Sequence, residues 1–148
     1  MGAITRRIRI AAPIERVWAV IVDYGRYPEF VPGVLSCRVV GSTGGARQVE
    51  YTVDLAVRQV RYVLAHHEER PHRVAWSLVR GDLLARSDGS WELTEDGDGT
   101  LASYTVDVQI ARPPLVPGFV VDRVADELTR VQLPRTVEAF RARAEGAP

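Results

Sequence analysis

The sequence predicts an α+β fold in which helices gather on one face of an antiparallel sheet. Three observations predict it. The middle of the chain alternates apolar and polar residues with a period of two, helical spacing is confined to a short stretch near the start and a long one at the end, and turn compositions separate the strands. With 148 residues, 46% of them hydrophobic and 26% charged, the chain has the size and balance of one ordinary globular domain, read here as residues 1–148.

The elements follow in order. In "ITRRIRI", residues 4–10, Ile4, Ile8 and Ile10 share a face opposite Thr5, Arg7 and Arg9, the pattern of a half-buried strand. Arg6 interrupts the apolar face near the edge. Pro13 suits a first helical turn, and "PIERVWAVIV" sets Ile14, Val17, Trp18 and Ile21 at helical spacing, ending near Asp23. The segment "VDYGRYPEFVP" then crowds aromatic rings where the chain is breaking. Pro28 is expected to open a one-turn helix that Pro32 and Gly33 close.

Alternation places Cys37 in a strand as a buried thiol, unable to form an internal disulfide because it is the single cysteine. Val49, Tyr51, Val53, Leu55 and Val57 occupy alternate positions with Glu50, Thr52 and Asp54 between them, so this strand has one wet face. Val60, Tyr62 and Leu64 continue the series, followed by Val74, Trp76 and Leu78, by Trp91 and Leu93, and by Tyr104, Val106, Val108 and Ile110. "ERPH", "RGD", "SDG" and "EDGDGT" supply the turns; the last lacks the full ligand pattern of a calcium loop and reads as a hairpin. "ARPPLVPG" ends the sheet. From about Pro117 to Ala144 the spacing becomes helical, with Val120, Val121, Val124, Leu128 and Val131 on one side and Asp122, Arg123, Asp126 and Arg130 mostly on the other. Such a helix is roughly 42 Å long, and Pro134 should bend it. One long helix must therefore cover most of a six- or seven-stranded sheet.

Composition excludes several functions. All nineteen basic residues are arginine and are matched by nineteen acidic ones, so there is no field to hold a nucleic acid, no Schiff-base lysine and no P-loop lysine. The N-terminus lacks the apolar block of a signal peptide and no run spans a bilayer, so a cytoplasmic protein without integral membrane association is expected. In "HHEE", His66 and Glu68 face one side of a strand while His67 and Glu69 face the other, with His72 beyond a turn, which leaves too few ligands for a metal. The familiar hydrolase, zinc-peptidase, redox and nucleotide motifs are absent, and no cofactor is expected.

Three segments, "APIERVWAVIVDYGRYPEFVPGV", "GSWELTEDGDGT" and "LPRTVEAFRARAE", together with the strand order, resemble the START-like, or helix-grip, superfamily, and within it the polyketide cyclase/dehydrase and coenzyme Q-binding type of small bacterial protein. The resemblance implies a curved antiparallel sheet wrapped around the long C-terminal helix, with two short helices after the first strand. A cavity is implied between sheet and helix, with Tyr24, Tyr27, Phe30 and Val31 lining its mouth or plugging the end of the core.

The cavity contacts expected from this resemblance and from strand phase are Tyr27, Phe30, Tyr51, Val53, Tyr62, Trp76, Leu78, Trp91, Tyr104, Phe119, Val120 and Val124. Broad rings with a few hydroxyls suit a flat, mostly apolar ligand carrying some oxygens. Groups that could move protons are Tyr51, Tyr62, Tyr104 and Arg80. His66, Asp82, Arg86 and Arg123 also carry suitable chemistry, His66 being expected as a surface imidazole near its strand end and the two arginines as solvated.

Two functions follow: a binding module for a hydrophobic small molecule such as a lipid, isoprenoid quinone or polyketide, or a polyketide aromatase/cyclase or dehydratase working through cavity polar groups. A third, from the resemblance to bacterial members that interact with ribosomes, is a protein-binding regulator. Monomer and homodimer both fit, since the edge strand 4–10 carries arginines that can protect it from pairing.

Overall fold

The computed structural model describes residues 3–55 and 58–146. After β1 (Ile4–Ile10) come α1 (Ile14–Ile21), a 3₁₀ turn over Tyr24–Arg26 and the one-turn α2 (Tyr27–Phe30). Six strands follow: β2 (Val34–Thr43), β3 (Ala46–Asp54), β4 (Gln59–Glu69), β5 (Arg73–Gly81), β6 (Leu84–Asp96) and β7 (Gly99–Ile110). They form a curved antiparallel sheet in the order β1-β7-β6-β5-β4-β3-β2. Val57, read above as an inward strand residue, lies outside the described residues. "EDGDGT" is a hairpin turn as expected: Asp96 pairs with Gly99, and Gly97 takes a φ of 62° that glycine adopts without strain.

The long C-terminal helix runs over 118–145 in three parts: α3 (Gly118–Asp126), a π-helical segment (Glu127–Gln132) and α4 (Leu133–Glu145). Pro134 has no N–H to give and its ring crowds the carbonyl one turn back. The chain answers by widening the preceding turns, so that the Leu133 N–H bonds the carbonyl of Leu128, five residues back. That change of period alters the helical phase: Val131, expected on the inner stripe, is exposed, while Thr129, Gln132 and Leu133 face the sheet side.

The far end of α4 is tied to the β1–α1 junction. Arg16 donates through Nε to the Ala144 carbonyl at 2.5 Å, and Glu145 accepts the Ala11 N–H at 2.8 Å. Rings from the helix, the early turn and the sheet meet in the core, where Phe140 stands edge-on to Tyr27 and Phe30 and against Trp91.

Gly89 shows how tightly the inner face is built. It pairs with Trp76 on one side and Val106 on the other, and the Trp76 indole lies where a side chain would stand. A Cβ on Gly89 would fall 2.5 Å from the indole and collide with the Thr105 carbonyl oxygen. Gly89→Ala should therefore destabilise the protein by about 2–3 kcal/mol and tilt the Trp76 ring. Urea denaturation followed by tryptophan fluorescence checks both effects.

Candidate functional site

Between the sheet and the C-terminal helix lies a cavity of about 170 Å³. Its walls come from the inner phases of β3 to β7, the segment 27–34, and the helix from Ala125 to Phe140. Of the twelve expected contacts, Tyr27, Tyr51, Val53, Tyr62, Trp76, Trp91 and Tyr104 line it. The strand residues share one side because period-two alternation survives through β3, β4 and the start of β5.

The other five stand elsewhere. Phe30 packs behind the wall against Tyr27 and Phe140, with the Arg143 guanidinium 4.9 Å above its ring. Leu78 and Val120 are half-buried and Val124 is fully buried, but none of the three forms the cavity wall. Phe119 is corrected outright: it is 69% exposed, because residues 119, 122, 123 and 126 share the outer face of α3. Arg80 is likewise corrected as an inward group. A bulge sets Leu78 opposite Leu64 but Arg80 opposite Val63, so Val79 is the extra residue and the phase reverses after it. Arg80 consequently points to the outer, exposed face.

Asp82 braces a strand, its carboxylate accepting the Arg61 N–H at 3.2 Å. Arg86 pairs with Asp88 at 2.8 Å and Asp107 at 3.6 Å, and Arg123 is exposed.

His66 also stands apart from its expected place. It is 3% exposed, not a surface imidazole. The strand runs on to Glu69, and the Tyr24 ring, 4.6 Å from the imidazole, covers this end, with Trp76 at 5.7 Å. Its phase, shared with Tyr62 and Leu64, was the available signal. Tyr24 is itself fixed by donating its hydroxyl to Glu68 at 2.8 Å, and Tyr27 by a hydrogen bond to the Ile21 carbonyl. Both rings are buried, and Tyr27 also stands on the cavity wall.

Tyr51 Oη and His66 Nε2 lie 2.8 Å apart inside the cavity wall. Burial, assisted by neighbouring His67, pulls the imidazole down to about 3, so His66 is neutral near pH 7. Burial pushes the Tyr27, Tyr51, Tyr62 and Tyr104 hydroxyls well up, and they stay protonated. Cys37, also raised by burial to about 12, is a thiol rather than a nucleophilic thiolate. Among the described residues no aspartate, glutamate or arginine lines the cavity, and no cluster of His, Cys, Asp and Glu could hold a metal. The site can bury an uncharged apolar body, present ring faces to it, and offer hydrogen bonds from Tyr51, His66, Ser87, Thr129, Gln132 and Thr136.

Residues 1–145 match the family described as polyketide cyclase / dehydrase and lipid transport. The chain belongs to this family. Several proteins with solved structures share its fold at low identity. A START superfamily protein from Mycobacterium smegmatis superposes with a TM-score of 0.79 at 22% identity, covering 98% of each chain. The Zhui aromatase/cyclase from Streptomyces sp. R1128 gives 0.84 at 16% identity, covering 97% of this chain and 93% of its own. A STAR-related lipid transfer protein from Xanthomonas axonopodis gives 0.67 at 15% identity, with 97% and 86% covered. No curated protein matches the chain. The helix-grip architecture expected from the sequence is thus the observed one, and no helix among the described residues is long and apolar enough to cross a membrane.

Proposed function

We propose that residues 1–148 act as one ligand-binding domain that holds a neutral, hydrophobic small molecule between the sheet and the C-terminal helix. The observation that carries this reading is a cavity walled mainly by aromatic and aliphatic side chains, with no aspartate, glutamate or arginine among the described residues that line it. A carboxylate or phosphate placed there would lose its hydration without a counter-ion, so an uncharged ligand such as a quinone or a cyclised polyketide suits the wall better than a fatty-acid anion. At about 170 Å³ the space is similar to the roughly 150 Å³ apolar cavity known to accept benzene, and one or two fused rings match it. Membership of a family whose description includes lipid transport supports the same reading.

The hydrogen-bonded Tyr51–His66 pair favours one second reading, a polyketide aromatase/cyclase or dehydratase in which the cavity folds the substrate and the pair moves a proton.

Native mass spectrometry of the protein from its own host, with extraction and identification of what it releases, tests the binding reading. A stoichiometric neutral aromatic or isoprenoid compound is the expected result, and a consistently empty protein that also fails to bind neutral apolar compounds would reject it. Blocking the space should have a matching effect. Val108→Trp places an indole in the cavity and should weaken uptake of the neutral two-ring fluorescent probe 1-aminonaphthalene at least tenfold, whereas Arg80→Ala on the outer face should leave it unchanged. Fluorescence titration of the three proteins checks this.

A further inference from the structure

The wall of the cavity contains a polar group with no partner. His66 is buried, its Nε2 is engaged by Tyr51 at 2.8 Å, and its Nδ1, also buried, has no hydrogen-bond partner among the described residues. An orphaned buried imidazole nitrogen carries a desolvation cost that a bound group can remove.

Which proton sits on that nitrogen follows from the groups beyond it. Tyr51 lies next to both His66, 2.8 Å from its Nε2, and the buried Cys37, its partner across the β2–β3 ladder. A phenol is a better donor than a thiol, and an imidazole nitrogen is a better acceptor than sulfur. The favoured direction is therefore Tyr51 O–H to His66 Nε2. A neutral imidazole with Nε2 accepting has its hydrogen on Nδ1. The imidazole on the cavity wall thus carries a buried N–H donor that lacks an acceptor among the described residues.

The surroundings restrict the molecule that carries the acceptor. Tyr51 and Tyr62 stack at 5.1 Å with only 16° between their planes, and Trp76 and Tyr104 continue the aromatic wall at 5.7 Å. Flat faces at such spacing favour a flat, conjugated partner.

We propose that the Nδ1–H of His66, oriented by Tyr51, is the recognition point for a carbonyl oxygen conjugated to an aromatic ring system in a neutral ligand. This rests on the reading of the cavity as a binding site and adds to it the ligand's chemical class and the residue that selects it. His66 here is a binding residue and Tyr51 a positioning residue.

Two probes of nearly equal shape test it. 2-Acetylnaphthalene carries the conjugated carbonyl, and 2-isopropenylnaphthalene replaces that oxygen by a methylene group. Quenching of tryptophan fluorescence should show the ketone bound at least ten times more tightly by the native protein, because the hydrocarbon leaves the imidazole N–H unpartnered. His66→Phe should remove the preference by weakening the ketone alone. In the unaltered protein, nitrogen NMR of His66 should show a protonated Nδ1 and an unprotonated Nε2, with Nδ1 shifting on addition of the ketone and not of the hydrocarbon. This measurement decides the matter even if the variant does not fold. Equal binding of the two probes by the native protein, a preference that survives in His66→Phe, or the opposite tautomer would overturn the proposal while leaving an apolar binding site in place. Failure of both probes to bind would overturn the binding reading and the proposal together.

Discussion

His66→Phe is expected to remove most of the acid sensitivity of the fold. In the unfolded chain the imidazole takes up a proton near its usual value of 6.5, whereas in the folded protein burial, with His67 second, holds it down to about 3. Between these values the unfolded state binds more protons, so the contribution is complete above about 6.5 and is lost as pH falls towards 3. The loss between pH 7 and pH 4 is on the order of 3 kcal/mol, a large part of the stability of a domain this size. At pH 7 the variant should be weaker by about 1–2 kcal/mol, since Tyr51 loses its partner. On acidification the two stabilities should converge and then cross.

Other acid-sensitive contacts do not disturb this comparison, because they are common to both proteins. Glu29 is held below the carboxylate range chiefly by Arg143, and Glu145 chiefly by the Ala11 N–H. Glu68, near the imidazole, keeps its contacts with Tyr24 and Arg47. Urea titrations of both proteins from pH 7.5 to 4 provide the measurement. Parallel stability curves would mean that His66 takes up its proton within the fold, and the account of it as a neutral buried group would fail.

The sheet was legible in the sequence because each strand of the series has one apolar and one wet face, and alternation survives wherever the ladder is regular. Tyr51, Val53, Tyr62, Trp76, Trp91 and Tyr104 reach the cavity for that reason. The failures occur where a local irregularity changes the period. The bulge at Val79 turns Arg80 outward, and the π-helical segment ahead of Pro134 turns Val131 outward while bringing Gln132 to the cavity. The sequence announced that Pro134 would disturb the helix, but not that the disturbance would rotate it. His66 failed for a different reason: a strand's period says which side a residue faces, not what covers it, and the cover here is Tyr24 from a segment more than forty residues earlier. The orphaned nitrogen on which the ligand's class depends is a property of three-dimensional partnership and has no signature in the local sequence.

Phe140→Ala should produce the second large effect, through packing rather than charge. Phe140 is 5% exposed and its ring lies 5.2 Å from Tyr27, 5.1 Å from Phe30 and 5.4 Å from Trp91. Removing a buried phenylalanine costs about 3–5 kcal/mol, with the upper values where the surroundings cannot collapse. Collapse is hindered here because Tyr27 is bound to the Ile21 carbonyl and Trp91 sits on β6, a strand paired on both sides. Phe140 also stands on the cavity wall, so the new void joins the existing space instead of forming a separate hole. Loss of stability and enlargement of the site should therefore appear together: a melting temperature lower by roughly 10 °C, and a gain in affinity for three-ring neutral aromatics over two-ring ones. Saturation with such a ligand should restore part of the melting temperature, since a molecule that fills the joined space binds only the folded state. A variant that melts like the native protein would show that the helix and the sheet are not joined through this ring. One that loses stability without accepting larger ligands would show that the void closes, and that α4 has moved towards β6.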